Sequence, residues 1–234
     1  MQGRVFTLLK SIFDFSISFI LLIIAFPIIL FLSLIIFIQI REFPFFIQER
    51  GITLDSYRFI MYKLKTMKSQ KVNVDSSHEN IFFKKELKKL VTPFGRFLRR
   101  TGLDELPQLI NILKGEMSFV GPRPLSLTDL DIMKYSFPKE YSLRGQNKFK
   151  PGITGFWQVF QNRNEGVKDL NEKESFYNRN YSVALDIKIL LKTIPIVFNG
   201  THCDAILPDR KSDKFDTSVL KNVKRREYNI ECVS

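Results

Sequence analysis

From Phe15 to Ile40 the chain reads FSISFILLIIAFPIILFLSLIIFIQI, without one charged residue. As a single helix this run would extend roughly 39 Å, more than the roughly 30 Å hydrocarbon core of a bilayer. It is too long for a cleaved signal peptide, and no small-residue cleavage site follows it. It is also apolar on every side, unlike a helix buried on one face of a soluble domain. Two membrane arrangements remain. One is a straight transmembrane anchor. The other is a helix bent at Pro27 that enters and leaves on the same face, because proline removes a ladder hydrogen bond near the middle of the run. Both flanks are basic, with Arg4 and Lys10 before and Arg41 and Arg50 after. The positive-inside tendency would keep both ends cytosolic. Proline is also common in straight spans, so these residues alone leave both arrangements open.

The 234 residues suit one catalytic domain beside this membrane element. The divisions expected are 1–41 for the membrane helix, 42–200 for a cytosolic catalytic domain and 201–234 for a basic tail. A net charge of +12 points to polyanionic partners: nucleic acid, anionic lipid headgroups or phosphorylated substrates. No helix-turn-helix, zinc-finger or RNP pattern occurs, so nucleic acid is not an expected partner. Cys203 and Cys232 form no disulfide framework, which fits a reducing compartment. The neighbouring His202 and Cys203 have no further ligands close in sequence to complete a zinc site.

Residues 45–67 predict a β-hairpin, with FFIQE and YRFIMYKLK joined by the turn-rich GITLDS. Residues 68–80 are polar and read as a loop. Residues 81–100 alternate Phe and Leu with Lys and Arg, a pattern suited either to an anionic membrane surface or to a solvated helix face. Residues 182–198 predict an apolar-rich helix capped by Ser182 and bent or ended by Pro195. The expected class is therefore helix-rich α+β: a small β-hairpin, amphipathic interfacial helices and the N-terminal membrane helix.

The stretch from Thr101 to Pro124 carries the chemistry. Leu106, Leu109, Ile110 and Leu113 recur at helical spacing. Pro107 fits only a first turn, and Gly115 can end the helix. The helix would thus begin at Asp104 and Glu105, two acids at the positive end of its dipole. Capping alone explains many such pairs. Here a basic cluster (Arg96, Arg99, Arg100) precedes the acids, and Arg123 follows between two prolines.

LDELPQLINILKGEMSFVGPRP resembles the signature of the bacterial sugar transferase family, the monotopic polyprenyl-phosphate phosphoglycosyl transferases that begin surface-glycan assembly. YKLKTM (62–67), KPGITGFWQV (150–159) and YSVALDIKILLKT (181–193) resemble three further family stretches in the same order. The likeness extends over about residues 10–195. It implies that Asp104 attacks the β-phosphate of a UDP-sugar and carries the phosphosugar covalently. Polyprenyl (undecaprenyl) phosphate then takes the phosphosugar. It also implies a Mg2+ cofactor held by Asp104 or Glu105, and substrate-binding roles for Lys63, Arg123 and Asp186. The implied location is the bacterial inner membrane, with a re-entrant helix and the catalytic domain on the cytosolic face.

Some positions depart from the family pattern. Lys10-Ser11 replaces Lys-Arg, Lys65 replaces an arginine, Glu174 stands for the usual acid before the late helix, and the loop Phe160–Asn164 lacks its glycine. These bear on which sugar is transferred more than on the reaction. A catalytically inactive membrane-surface adaptor of the same fold is the competing reading, and the intact Asp104–Glu105 pair argues against it. A homodimer is left open.

Overall fold

The computed structural model describes residues 2–69, 91–160 and 166–199. The readings of the 70–80 part of the polar loop, of the 81–90 half of the basic stretch, of the 161–164 part of the Phe160–Asn164 loop, and of His202, Cys203, Cys232 and the basic tail lie outside them.

The apolar run is part of one helix, α1, spanning Gln2–Ile40 with Pro27 inside it. Helix therefore begins well before Phe15, and Lys10 and Asp14 are helical rather than flanking. The helix is not divided at Pro27. Its burial follows one stripe: Asp14, Ser18, Ala25, Ile29, Leu32, Ser33, Ile36 and Ile40. The spacing is close to 3.6 residues, so one face is covered along nearly the whole helix. Small and polar residues make up much of that covered face. Large apolar residues such as Leu21, Ile24, Phe31, Leu34 and Ile38 face outward. In water this would be inverted. In lipid it is expected, because tails solvate large apolar side chains while small residues let helices approach closely. An exposed apolar surface of this extent belongs in a membrane.

The hairpin forms as its sequence predicts: β1 (Phe45–Gly51) and β2 (Arg58–Leu64) pair antiparallel, with Phe46 opposite Lys63. The Ile52 N–H donates to the Tyr57 carbonyl at 3.0 Å and closes the turn. After the undescribed segment, α2 (Pro93–Thr101) opens on Thr92, whose hydroxyl accepts from the Gly95 N–H. It closes on Gly102, whose φ of 69° suits a residue without Cβ. A 3-10 turn (Leu103–Glu105) and α3 (Gln108–Leu113) follow.

Next come β3 (Ser118–Val120), β4 (Leu125–Ser126), α4 (Leu127–Ser136) and α5 (Pro138–Arg144). β5 (Gly152–Thr154), α6 (Phe156–Phe160), α7 (Gly166–Arg179) and α8 (Val183–Phe198) complete the order. β4 adds to the hairpin beside β1, and β3 pairs with β5 in parallel. Both pairings are absent from the sequence reading. Strands of two or three residues carry no alternation to detect, and their partners are distant in sequence.

α8 begins after Ser182, whose hydroxyl accepts from the Leu185 N–H at 3.1 Å. Pro195 lies inside it without ending it, which excludes the ending that the sequence offered beside a bend. The described residues thus make a helix-rich α+β unit. Its main core joins Ile36 and Ile40 of α1 to Met61 and Leu64 of β2, Leu98 of α2, and Leu109 and Ile112 of α3. The strand and turn that carry the candidate site therefore rest directly on the membrane helix.

Candidate active site

Asp104 and Glu105 sit in the 3-10 turn, not in the first turn of the following α-helix. Pro107 explains the shift. It has no N–H to bond back to Leu103, so the chain keeps tighter bonds, Glu105 N–H to Gly102 and Leu106 N–H to Leu103. Both acids are buried, at 5% and 7% exposure. Buried carboxylates need partners. Lys63 Nζ on β2 meets Glu105 Oε1 at 2.5 Å.

The alignment of β2 with this turn is held by Asn111. Its side-chain oxygen accepts from the Tyr62 N–H at 3.2 Å, and its amide donates to the Ile60 carbonyl at 2.6 Å and to Glu116 at 2.8 Å. Ile60 and Tyr62, the strand residues just before Lys63, are thereby tied to the helix after the acids. Sequence reasoning missed Asn111. A polar amide beside Leu109 and Ile112 on a buried helix face was the available signal.

Arg123 arrives by a second route. β3 and β5 approach so closely that a Cβ on Gly121 would overlap the Lys150 carbonyl oxygen and lie 2.8 Å from the Gly152 nitrogen. That contact seats Pro122–Pro124 against β5. The Arg123 N–H donates to Glu174 Oε1 at 2.8 Å, and Arg144 donates to the Arg123 carbonyl. The Arg123 guanidinium lies 5.6 Å from the Trp157 ring centre, a cation–π distance. Arg50 reaches the Pro124 carbonyl from β1 at 3.4 Å.

These routes meet at one cleft. Arg50, Lys63, Glu105, Gln108 and Arg123 line it, with Met61 and Ile153 as apolar wall. Three cations and one carboxylate line it, with Lys63 paired to that carboxylate; guanidinium and ammonium groups gathered in this way suit an anionic ligand. Asp104 is adjacent in the chain to Glu105 but does not line the cleft. Among the described residues, no group of three or more Asp, Glu, His or Cys side chains gathers as a metal site.

Asp186 is elsewhere. It pairs with Lys10 of α1 and accepts from the Tyr177 hydroxyl at 2.7 Å. Lys10 also lies over the Tyr181 ring at 5.7 Å, and Ser118 donates to Asp14 at 2.6 Å. The sequence grouped Asp186 with the substrate-binding residues. The structure places it where it pins the N-terminal part of α1 to α8. Burial, aided by the Asp186 and Asp14 charges, pushes the Tyr181 hydroxyl up to about 12 and raises Tyr177 further. Lys65 also turns from the cleft, to Glu42 at 2.6 Å and Ser69 at 2.8 Å. Its hydrogen bond holds the Glu42 carboxyl below the usual range.

The model of the bacterial sugar transferase family matches residues 5–200. The chain belongs to that family. An uncharacterized sugar transferase of Bacillus subtilis, EpsL, is 34% identical over 187 residues, covering 80% of this chain and 86% of that protein. The undecaprenyl-phosphate galactose phosphotransferase of Salmonella typhimurium is 45% identical over 108 residues, 46% of this chain and 21% of that protein. The undecaprenyl-phosphate glucose phosphotransferase of Komagataeibacter xylinus is 34% identical over 192 residues, 79% of this chain and 35% of that protein. The chain thus spans only about a fifth to a third of the length of several larger relatives.

Proposed function

We propose that this chain moves a sugar-1-phosphate from a UDP-sugar to polyprenyl phosphate, with undecaprenyl phosphate the acceptor, as the first step of surface-glycan assembly. The observation that carries the reading is the convergence of Arg50, Lys63 and Arg123 with Glu105 in one cleft, one residue from Asp104 and built on the membrane helix. A pyrophosphate is the ligand such a surface neutralises. The names of the Salmonella and Komagataeibacter relatives support the same class of reaction and an undecaprenyl carrier.

In this reading an Asp104 carboxylate oxygen attacks the β-phosphorus of the donor. A bond forms from that oxygen to phosphorus, the bond to the bridging oxygen breaks, and UMP leaves with the electron pair. A phosphate oxygen of the lipid then attacks the same phosphorus and releases the Asp104 carboxylate. The cations of the cleft take up charge on the non-bridging oxygens, which lets an anionic nucleophile approach. Lys63 pairs with Glu105 beside them.

A Mg2+ ion fits this donor set. Mg2+ is commonly held by one or two carboxylates plus substrate phosphates, and Asp104 and Glu105 would supply two; no larger cluster occurs among the described residues. When bound it would lower the charge of the pyrophosphate.

The membrane arrangement belongs to the same proposal. Both ends of α1 pack on one domain, through Lys10–Asp186 and Asp14–Ser118 at one end and Ile36 and Ile40 at the other. This supports a re-entrant helix with the catalytic domain on the cytosolic face of the inner membrane. α8 exposes Val183, Ile187, Leu191, Ile194 and Phe198 along one side, and α2 beside it exposes Phe97. That supports both as interfacial helices.

The test is incubation of the chain with a panel of UDP-sugars, Mg2+ and undecaprenyl phosphate, with UMP as readout. One donor should release UMP, chelation should stop it, and Asp104→Asn should abolish it. Radiolabelled donor without acceptor should label the wild-type protein but not Asp104→Asn. Release of UMP by Asp104→Asn at the wild-type rate would refute the mechanism.

A further inference from the structure

Arg144 and Glu174 are among the most deeply buried charges in the described residues, at 1% and 4% side-chain exposure, and they pair with each other. A buried ion pair is weak as a source of stability, because desolvation offsets most of the attraction. Its other contacts are more informative. Glu174 uses one oxygen for Arg144 and the other for the Arg123 N–H. Arg144 donates from one terminal nitrogen to Glu174, from the other to the Arg123 carbonyl, and from Nε to the Ile52 carbonyl at 2.8 Å. Ile52 lies two residues beyond Arg50 at the end of β1.

The backbone N–H and carbonyl of Arg123 are therefore both held by one pair. The same guanidinium holds the strand end that carries Arg50. Neither Arg144 nor Glu174 lines the cleft, and both Arg50 and Arg123 do. The planar fork of arginine is suited to three donors in fixed directions, which an ammonium cannot reproduce.

We propose that Arg144 and Glu174 are positioning residues of the donor site, fixing the separation and aim of Arg50 and Arg123 across the cleft. This rests on the donor-binding reading above. Those cations have to meet the phosphates of one nucleotide at fixed spacing. The pair supplies that spacing from inside the domain, where neither water nor substrate competes for its hydrogen bonds. The consequence is specific. Loss of the pair should weaken the nucleotide side of the reaction and leave the lipid side unchanged.

The experiment uses the full chain in lipid nanodiscs, with UMP plus Mg2+ as the binding probe and the best donor from the panel for kinetics. Arg144→Lys keeps the opposite charges but not the three-way fork. The double variant Arg144→Met/Glu174→Met removes both charges together, so neither is left buried without its partner. The double variant should melt cooperatively, bind UMP about a hundredfold more weakly and show a donor KM raised in step. Its KM for undecaprenyl phosphate should stay at the wild-type value. Arg144→Lys should lose UMP affinity in the same direction by less, and it serves if the double variant does not fold. Wild-type UMP affinity in either folded variant, or equal rises in the donor and lipid KM values, would overturn the positioning role. Failure of the wild-type chain itself to bind UMP would instead overturn the donor-binding reading beneath it.

Discussion

Gly121→Ala adds one methyl group where the structure leaves no room for it. The Gly121 N–H donates to the Thr154 carbonyl at 3.0 Å, and the Gly152 N–H donates to the Pro122 carbonyl at 2.9 Å. The new methyl would overlap the Lys150 carbonyl oxygen and sit 2.8 Å from the Gly152 nitrogen and 3.1 Å from the Pro151 carbonyl carbon. Every one of these is a backbone atom, so no rotamer change relieves the clash. β3 and β5 must separate by about 1 Å, at a cost of about 1–3 kcal/mol. Arg123 is two residues further on and would move with them. A displacement of that size near reacting groups costs about a hundredfold in rate. UMP release and a thermal melt, run side by side, separate the two effects: the fold should survive and turnover should not. Gly145→Ala is the control, since its added methyl meets the Ser142 carbonyl at 3.3 Å and the Thr53 methyl at 3.7 Å in an ordinary backbone conformation. Wild-type turnover in Gly121→Ala would refute the claim that this strand contact places Arg123.

Three further outcomes follow from the same geometry. Asn111→Ala should destabilise the chain by about 1–3 kcal/mol, because the Tyr62 N–H and the Ile60 carbonyl lose their side-chain partner, and it should lower kcat by loosening β2 against the acids; chemical denaturation and UMP release check both parts. Lys10→Met should cost about 3 kcal/mol by removing the cation from buried Asp186, and Lys10→Met/Asp186→Leu should cost less than the single change, as read by melting in nanodiscs. Tyr181 and Tyr177 keep their protons in the folded state above the ordinary tyrosine value of 10. Their contribution to stability is complete below pH 10 and is lost as pH rises toward about 12 and beyond, so the denaturation midpoint should fall across that window and Tyr181→Phe should flatten the fall.

Features governed by local physics were legible in the sequence. The hairpin was readable from its aromatic and branched strands and turn residues, α8 from its Ser182 cap, and the apolar helix from length alone. The acids were correctly placed near a helix start, but the exact turn was not, because a proline can sit in a first turn or before it. The proline at 195 was read as bending or ending its helix, and the helix runs on past it to Phe198. What stayed hidden depends on distant pairing. The β3–β5 contact, the Asn111 bridge and the hold of Arg144 and Glu174 on Arg123 join segments tens of residues apart and leave no periodic trace. Asp186 shows the converse. Its motif suggested a ligand contact, and only the fold reveals its partners Lys10 and Tyr177.

The interlocking of α1 with β2, α2 and α3 removes a choice that many membrane enzymes offer. Cutting away the first 41 residues would not liberate a water-soluble catalyst. It would strip the floor from beneath the strand bearing Lys63, because Ile36 and Ile40 are interior residues of the same core as Leu64 and Leu98. Under the membrane placement proposed above, bilayer thickness and lateral pressure would bear on a helix whose far side is that floor, and through it on the strand that carries Lys63.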